Sequence, residues 1–343
     1  MFVTCHCRKH RIPIHLDPSA LPHTVDFCYC LACRQTTGAP FGCYIPVPHP
    51  LFPPPANAST LSADPSSAKG AVPYVDLPES IRTYKTSEAG TRYFCVTCGC
   101  HLGMDDFQGK AWCVPEQEIQ AVDSTYTISW HQYLSETVDG GLTRILPDGL
   151  PRWSLEKDDK PFNTPPAAGP LNAQFRTTST GEDVLTARCR CGGVRARIRR
   201  PSAIPSGPGV KERGSSDGRR WMAGHCVCTD CRLVSGCPLS SWIYVGREHL
   251  TIEGETLVYY QSSEKAKRGF CSTCGATVTW DGGQPTVDIS TPLFERAEGE
   301  GVAAVESDWT YLEDELSYAS DGRDTVLRGA LSTGMKQNAG QGR

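Results

Sequence analysis

The stretch Cys226-Val-Cys-Thr-Asp-Cys-Arg-Leu-Val-Ser-Gly236 decides how this chain is read, because it occurs twice. Its counterpart is Cys28-Tyr-Cys-Leu-Ala-Cys-Arg-Gln-Thr-Thr-Gly38. In both, three Cys at C-x-C-x-x-C spacing precede an Arg, and the segment closes on Ser/Thr-Gly. Working outward, Tyr84-Lys-Thr-Ser-Glu-Ala-Gly-Thr-Arg-Tyr-Phe-Cys-Val-Thr-Cys-Gly99 parallels Tyr260-Gln-Ser-Ser-Glu-Lys-Ala-Lys-Arg-Gly-Phe-Cys-Ser-Thr-Cys-Gly275. Upstream of each triple lies a C-x-C pair, Cys5/Cys7 and Cys189/Cys191. Fourteen of the 18 Cys therefore form one seven-Cys pattern written twice. The gaps between clusters are 20 and 61 residues in the first copy, and 34 and 39 in the second. Clusters that hold while gaps vary are what ligand sets joined by loops produce.

So many thiols in 343 residues mean either disulfides or metal. The first residues carry no basic-then-apolar leader, no apolar run approaches 18 residues, and the last residues carry no lipidation or retention motif. The expectation is a cytoplasmic protein without a membrane partner, where disulfides are disfavoured and metal–thiolate sites are favoured. Net charge is −4, which removes any global demand for a polyanionic partner. Hydrophobic residues make up 39 % of the chain, enough for packed but small cores that metal would reinforce.

Composition places the boundaries. We expect a first zinc domain at 1–160, a linker at 161–182, a second zinc domain at 183–320 and a flexible tail at 321–343. Residues 46–73 (Pro-, Ala- and Ser-rich) and 201–219 (Pro-, Gly- and Arg-rich) read as loop inserts without the periodicity of an ordered element. Short segments such as Trp242-Ile-Tyr-Val and Ala276-Thr-Val-Thr-Trp favour strands, and no long 3.6-residue period appears, so the fold class is mainly β.

The thiol arithmetic divides each copy into two sites. C-x-C plus C-x-x-C sums to four thiolates, a closed structural zinc site. That set is Cys5, Cys7, Cys95 and Cys98 in copy one, and Cys189, Cys191, Cys271 and Cys274 in copy two. Cys28, Cys30, Cys33 and Cys226, Cys228, Cys231 contribute three each, leaving a coordination position for an exogenous thiol, water or a carbonyl. The other reading completes each triple with a local His: His6, His10, His23 or His101 in copy one, His225 in copy two.

At these clusters the chain resembles the glutathione-dependent formaldehyde-activating (Gfa) or centromere-protein-V-like family, in two tandem copies. The family pattern is C-x-C-G, C-x-C-x-x-C-R with a following Ser/Thr-Gly, then Ser-Ser and Arg-x-Phe-C-x-x-C-G. Copy two matches nearly throughout, including Ser262-Ser263 and Arg268-Gly-Phe270. Copy one departs at Arg8, where Gly is usual, and at Thr86, where Ser is usual; the Arg8 change is expected to alter the turn after Cys7. The resemblance implies a β-rich fold of the β-tent or Mss4-like type with up to two zinc ions per domain. It implies structural roles for the four-Cys sets, and substrate-facing, catalytic roles for Cys28, Cys30, Cys33, Cys226, Cys228 and Cys231. Glutathione is the implied cosubstrate. The implied activity is a carbon–sulfur lyase or isomerase reaction on a small electrophile or a glutathione conjugate, in small-molecule metabolism. The competing class is a non-catalytic zinc-stabilised scaffold of centromere-protein-V type.

Several other residues bear on the site. Arg34 and Arg232 follow the last Cys of each triple and are placed to bind a glutathione carboxylate, or alternatively to balance cluster charge. Ser87, Ser263, Arg92 and Arg268 either bound the pocket or make structural hydrogen bonds. Trp112, Trp130, Trp242, Trp280 and Trp309 are candidate core or pocket aromatics. Cys43, Cys100, Cys113 and Cys237 have no partner in the repeat; Cys100 is close enough to Cys98 to be a stray ligand. The basic stretch 188–232 lacks a recognition helix or interleaved aromatics, so it is read as facing the acidic stretch 295–324 rather than nucleic acid.

Overall fold

In a computed structural model of the chain, the described residues are 2–14, 18–47, 77–87, 90–106, 111–113, 126–137, 140–163, 184–295 and 309–338. The expected linker from 164 onward and the first insert from 48 to 73 lie outside them, as do the side chains of Trp112 and Cys113.

The first half opens on a hairpin, β1 (Phe2–Thr4) against β2 (Arg11–Pro13). Then come β3 (His23–Cys28), helix α1 (Leu31–Thr37) and β4 (Ile45–Val47). Strands β5 (Ile81–Ser87), β6 (Gly90–Cys95), β7 (His101–Asp106) and β8 (Ala111–Cys113) join β4 in a sheet of order β4-β8-β7-β6-β5. Strand β9 (Tyr126–Gln132) returns parallel to β3.

The second half repeats this path. Hairpin strands β10 (Val184–Arg188) and β11 (Arg195–Arg199) precede helix α2 (Pro208–Arg213), β12 (Trp221–Cys226), α3 (Thr229–Ser235) and β13 (Ser240–Gly246). Strand β14 (Leu250–Glu253) widens the hairpin to three strands. Strands β15 (Leu257–Gln261), β16 (Lys267–Cys271), β17 (Thr277–Asp281), β18 (Thr286–Ser290) and β19 (Thr310–Leu312) complete a seven-stranded sheet, β15-β16-β17-β18-β13-β12-β19. Its last pair, β12 and β19, is parallel like β3 and β9. The strand order is the same in both halves. In the first, among the described residues, the isolated bridge Cys28–Gly42 joins the parallel pair to the main sheet. The architecture is mainly β, as expected.

The repeated motif explains its own local fold. In α1 and α3 the N-cap is the middle Cys, whose sulfur accepts the amide of the third (Cys33 N–Cys30 Sγ 3.3 Å; Cys231 N–Cys228 Sγ 3.4 Å). Both helices stop at a left-handed Gly, Gly38 at φ 73° and Gly236 at φ 64°. The Ser/Thr before that Gly caps the preceding turn, with Thr37 Oγ1 on Cys33 O (2.9 Å) and Ser235 Oγ on Cys231 O (2.8 Å).

The halves meet through equivalent surfaces. A Cβ on Gly99 would stand 2.6 Å from the Phe270 ring, and one on Gly275 would stand 2.7 Å from the Phe94 ring. Each C-x-x-C-G turn thus receives the Phe preceding the other. Ser290 Oγ donates to Gly38 O at 2.7 Å, and Arg190 N to Gln35 O at 2.9 Å. His101 is buried at this seam, and its ring is pushed down to about 3 by burial.

Two expectations are corrected. Residues 321–343 are not simply a tail: helix α4 (Thr325–Asn338) buries Leu327, Leu331 and Met335 in the core of the first half. Asp324 starts the helix by accepting Leu327 N at 2.8 Å. Gly334 lies so close to the first half that a Cβ would stand 1.7 Å from Ile145 O. The insert 201–219 is also ordered. Pro208 opens α2, where a missing amide costs nothing, and Gly209 packs on the Gly246 backbone. The basic stretch does meet the acidic one, through Arg188–Glu295 and Arg213–Glu313.

Candidate functional site

All fourteen repeated cysteines converge as the spacing predicts. Cys5, Cys7, Cys95 and Cys98 form one group; Cys189, Cys191, Cys271 and Cys274 another; Cys28, Cys30, Cys33 and Cys226, Cys228, Cys231 two more. Within each group the sulfurs lie within 4.8 Å of one another. No His, Asp or Glu joins them among the described residues, so the His-completed reading is not what the fold assembles. His6 instead contacts Asp230 (3.1 Å) and the Tyr260 hydroxyl (3.1 Å), and His225 Nδ1 contacts Ser241 Oγ (2.8 Å). Cys100 donates to Leu233 O at 2.7 Å.

The donor sets fit zinc. Tetrahedral zinc–thiolate bonds of about 2.3 Å put sulfurs about 3.8 Å apart. Neighbouring sulfurs here are separated by 3.4 Å (Cys5–Cys7), 3.6 Å (Cys7–Cys95), 3.6 Å (Cys189–Cys191) and 3.4 Å (Cys191–Cys271). A disulfide would bring them to about 2.05 Å. Backbone amides point at the same sulfurs: His10 N at Cys5 (3.3 Å), Val194 N at Cys189 (3.3 Å) and Gly193 N at Cys191 (3.4 Å). Such bonds favour the thiolate. The turn after Cys7 is kept despite its side chain: Arg8 sits at φ 63°, as Gly192 does at φ 76°. Arg8 N and Gly192 N each donate at 2.9 Å, to Cys5 O and Cys189 O.

In each triple the third sulfur has a buried guanidinium beside it. Cys33 is held well below the usual thiol range by hydrogen bonds from Cys28 and Cys30, then by Arg92. Cys231 is held down in the same way by Cys226 and Cys228, then by Arg268. The guanidinium contacts are Arg92 Nη2–Cys33 Sγ at 3.1 Å and Arg268 Nη2–Cys231 Sγ at 3.5 Å. These two Arg come from the Arg-x-Phe-Cys segments, so the same strand delivers a structural ligand and the cation for the other cluster.

Arg34 and Arg232, expected to bind a glutathione carboxylate or to balance cluster charge, donate to groups of the chain. Arg34 Nε and Nη2 donate to Tyr29 O and Glu136 O, both at 2.8 Å. Arg232, 2 % exposed, donates to Val227 O (2.8 Å), Thr229 Oγ1 (3.1 Å) and Asp321 O (3.1 Å). They tie the helix to the turns around it.

The second triple sits beside one face of the seven-stranded sheet. Cross-strand register aligns Tyr244, Asp288, Trp280, Arg268 and Tyr260 in a single row. Trp242 and Tyr244 pack with Cys226 and Cys231, and Met222, Cys228 and Trp280 border them. Tyr244 donates to Glu313 Oε2 at 2.9 Å, and Arg213 from α2 reaches Glu313 Oε1 at 3.3 Å. Burial, reinforced by the charge of Cys231, pushes the Asp288 carboxyl up to about 8. Burial raises Glu313 as well. Asp288, Glu313 and Arg213 were not singled out from sequence; they carry no motif and reach the site through sheet register and an insert. Trp309 belongs to the hydrophobic core.

Fold and thiol groups together define a β-rich protein built to hold metal on cysteine. Residues 214–309 match the family model described as glutathione-dependent formaldehyde-activating enzyme. That span carries the second triple, its C-x-x-C pair and the row from Tyr244 to Arg268. None of the curated proteins matches the chain. Among solved structures, the chain is similar to a Rhodobacter sphaeroides protein from a structural genomics effort, with 19 % identity and a TM-score of 0.24, over 37 % of this chain and 99 % of that one. No helix among the described residues is long and apolar enough to cross a membrane.

Proposed function

We propose that the protein makes or breaks a carbon–sulfur bond between glutathione and a small electrophile, as a lyase or isomerase, and that it comprises two Gfa-like units, 1–160 and 183–320. The observation that carries this reading is the three-thiol group of the second half, set beside unspent polar side chains inside the matched span. The four-Cys sets would each hold a structural zinc and the triples one each. Zinc held by three thiolates supplies acidification of an incoming thiol.

The chain's own residues do the rest. Arg268 keeps Cys231 ionised and offsets its charge. Trp242 and Trp280 exclude water from the reacting atoms. The carboxyl of Asp288, held protonated at neutral pH, donates its proton to the electrophile's oxygen as sulfur bonds to carbon and the C=O electron pair moves to that oxygen. In the lyase direction the Asp288 carboxylate takes the hydroxyl proton back as the carbon–sulfur bond breaks. Tyr244 is held beside Asp288 by Glu313 and Arg213 and positions it.

Calorimetric titration of the zinc-loaded protein with reduced glutathione, alongside a zinc count, tests the reading. Thiol binding with micromolar to millimolar affinity is expected. A fully zinc-loaded protein that binds no thiol would leave the scaffold role in its place.

A further inference from the structure

The two triples match in backbone and sulfur geometry, yet their surroundings are spent differently. In the first half, Arg92 has a hydroxyl partner besides Cys33: its Nη1 donates to the Tyr44 hydroxyl, the guanidinium lies 5.1 Å from the Tyr44 ring centroid, and Nε is left without a partner among the described residues. That ring also packs at Gly42, where a Cβ would stand 2.7 Å from Cys33 Sγ and 3.0 Å from Tyr44 Cε2. The tyrosine therefore occupies the ground beside the third thiol. The carboxylate there, Asp26, is engaged by Gln132 Nε2 at 2.6 Å.

In the second half the residue equivalent to Tyr44 is Trp242, which has no hydroxyl to offer. Arg268 is 3 % exposed, and its Nε and Nη1 have no hydrogen-bond partner among the described residues. Asp26 is replaced by Gly224, where a Cβ would stand 2.3 Å from Glu313 Oε2 and 2.5 Å from Tyr244 Oη. The missing side chain admits that Tyr–Glu pair. Asp288 stands two strands from Arg268 in the same row, and its carboxyl takes part in no hydrogen bond or ion pair among the described residues. A buried guanidinium with two unspent nitrogens, in one row with a part-exposed carboxyl, calls for a partner from outside the chain, because buried polar groups are otherwise satisfied.

We infer that the second half alone takes the thiol cosubstrate, with Arg268 receiving an anionic oxygen of the bound molecules, and that the first half's triple is a closed, supporting copy. The inference rests on the proposed glutathione-linked reading and narrows it to one site per chain.

The test uses full-length, zinc-loaded protein and reduced glutathione as the probe. One thiol per chain is expected by calorimetry. Cys228→Ser should abolish binding, and Tyr44→Phe should leave stoichiometry and affinity as they are. If Cys228→Ser does not fold, Arg268→Met, with its zinc content checked, should weaken binding at least tenfold. Two thiols per chain, or full binding by Cys228→Ser or by Arg268→Met, would overturn the inference while leaving the glutathione reading intact. No thiol bound to a fully zinc-loaded wild type would remove both together.

Discussion

The two halves of this protein share a strand order, a thiol geometry and a buried Arg on the third cysteine, yet they differ in what remains unspent. In the first half, Tyr44 takes Nη1 of the Arg and Gln132 takes the carboxylate near the triple, so that Nε is the guanidinium nitrogen left without a partner among the described residues. In the second, Trp242 and Gly224 leave the equivalent ground to Arg268, Asp288 and the Tyr244–Glu313 pair. The two halves share a frame, and a few positions set which polar groups stand beside each triple. Metal-binding sulfurs alone cannot show that difference, because both sets of three are intact.

The comparison can be broken most forcefully at what both halves share. Removing zinc with a chelator, or making Cys98→Ser or Cys274→Ser, should lower Tm by on the order of 10 °C or more, since structural zinc contributes folding energy directly. Differential scanning calorimetry would show it, and a Cys274→Ser protein with wild-type Tm would deny that site a structural role.

Next in size is the reactive asymmetry. Asp288→Asn should lower turnover by roughly 10²-fold or more, the usual scale for losing a general acid. The pH sign follows from the raised carboxyl: its proton is held up to about 8, so bond formation should fade as pH climbs through that value. The variant should lack this limb, and a pH–rate profile that is unchanged would exclude Asp288 as the acid. The same raised group makes its contribution to stability present below pH about 4 and lost as pH rises through about 8.

The strap between halves can then be loosened. Gly334→Ala puts a Cβ against Ile145 O, and overpacking of this kind costs about 1–3 kcal/mol. Urea denaturation should register that loss; none at all would mean α4 is not held there. Acid should act at the seam as well. His101 is held neutral down to about 3 by burial, so stability present above pH about 6.5 should be lost as pH falls toward 3.

The smallest effect concerns Arg8. A non-glycine residue in the left-handed region costs about 1–2 kcal/mol, so Arg8→Gly should stabilise the first half by up to about 1 kcal/mol after the entropy of glycine is counted. A loss of stability would show that the Arg8 side chain makes compensating contacts.

Much of the site was legible because cysteine spacing is a local code. C-x-C and C-x-x-C turns bring sulfurs together through backbone geometry, and the middle Cys of each triple doubles as an N-cap. Arg92 and Arg268 could be noticed from the repeat, but their contact with the opposite cluster needed the fold of β6 and β16. The role of Arg34 and Arg232 stayed open in the sequence because adjacency to a ligand says nothing of side-chain direction; both turn to backbone carbonyls. Helix α4 was missed because its apolar stripe is only Leu327, Leu331 and Met335 in a polar segment, and the surface they cover belongs to residues nearly two hundred positions earlier. The helix in the second insert hid behind Pro and Gly, which open it and let it pack closely.

By itself, the amino-acid sequence determined the two seven-Cys repeats, the mainly β class and the grouping of sulfurs, because each depends on spacing within a few residues or on matching two copies. The tertiary structure alone decided which polar groups meet. Strand register sets Asp288 between Tyr244 and Trp280, an insert brings Arg213 to Glu313, and Tyr44 reaches Arg92 across a sheet. Most of those contacts join residues dozens of positions apart, and their energies depend on burial and distance, which no local pattern encodes.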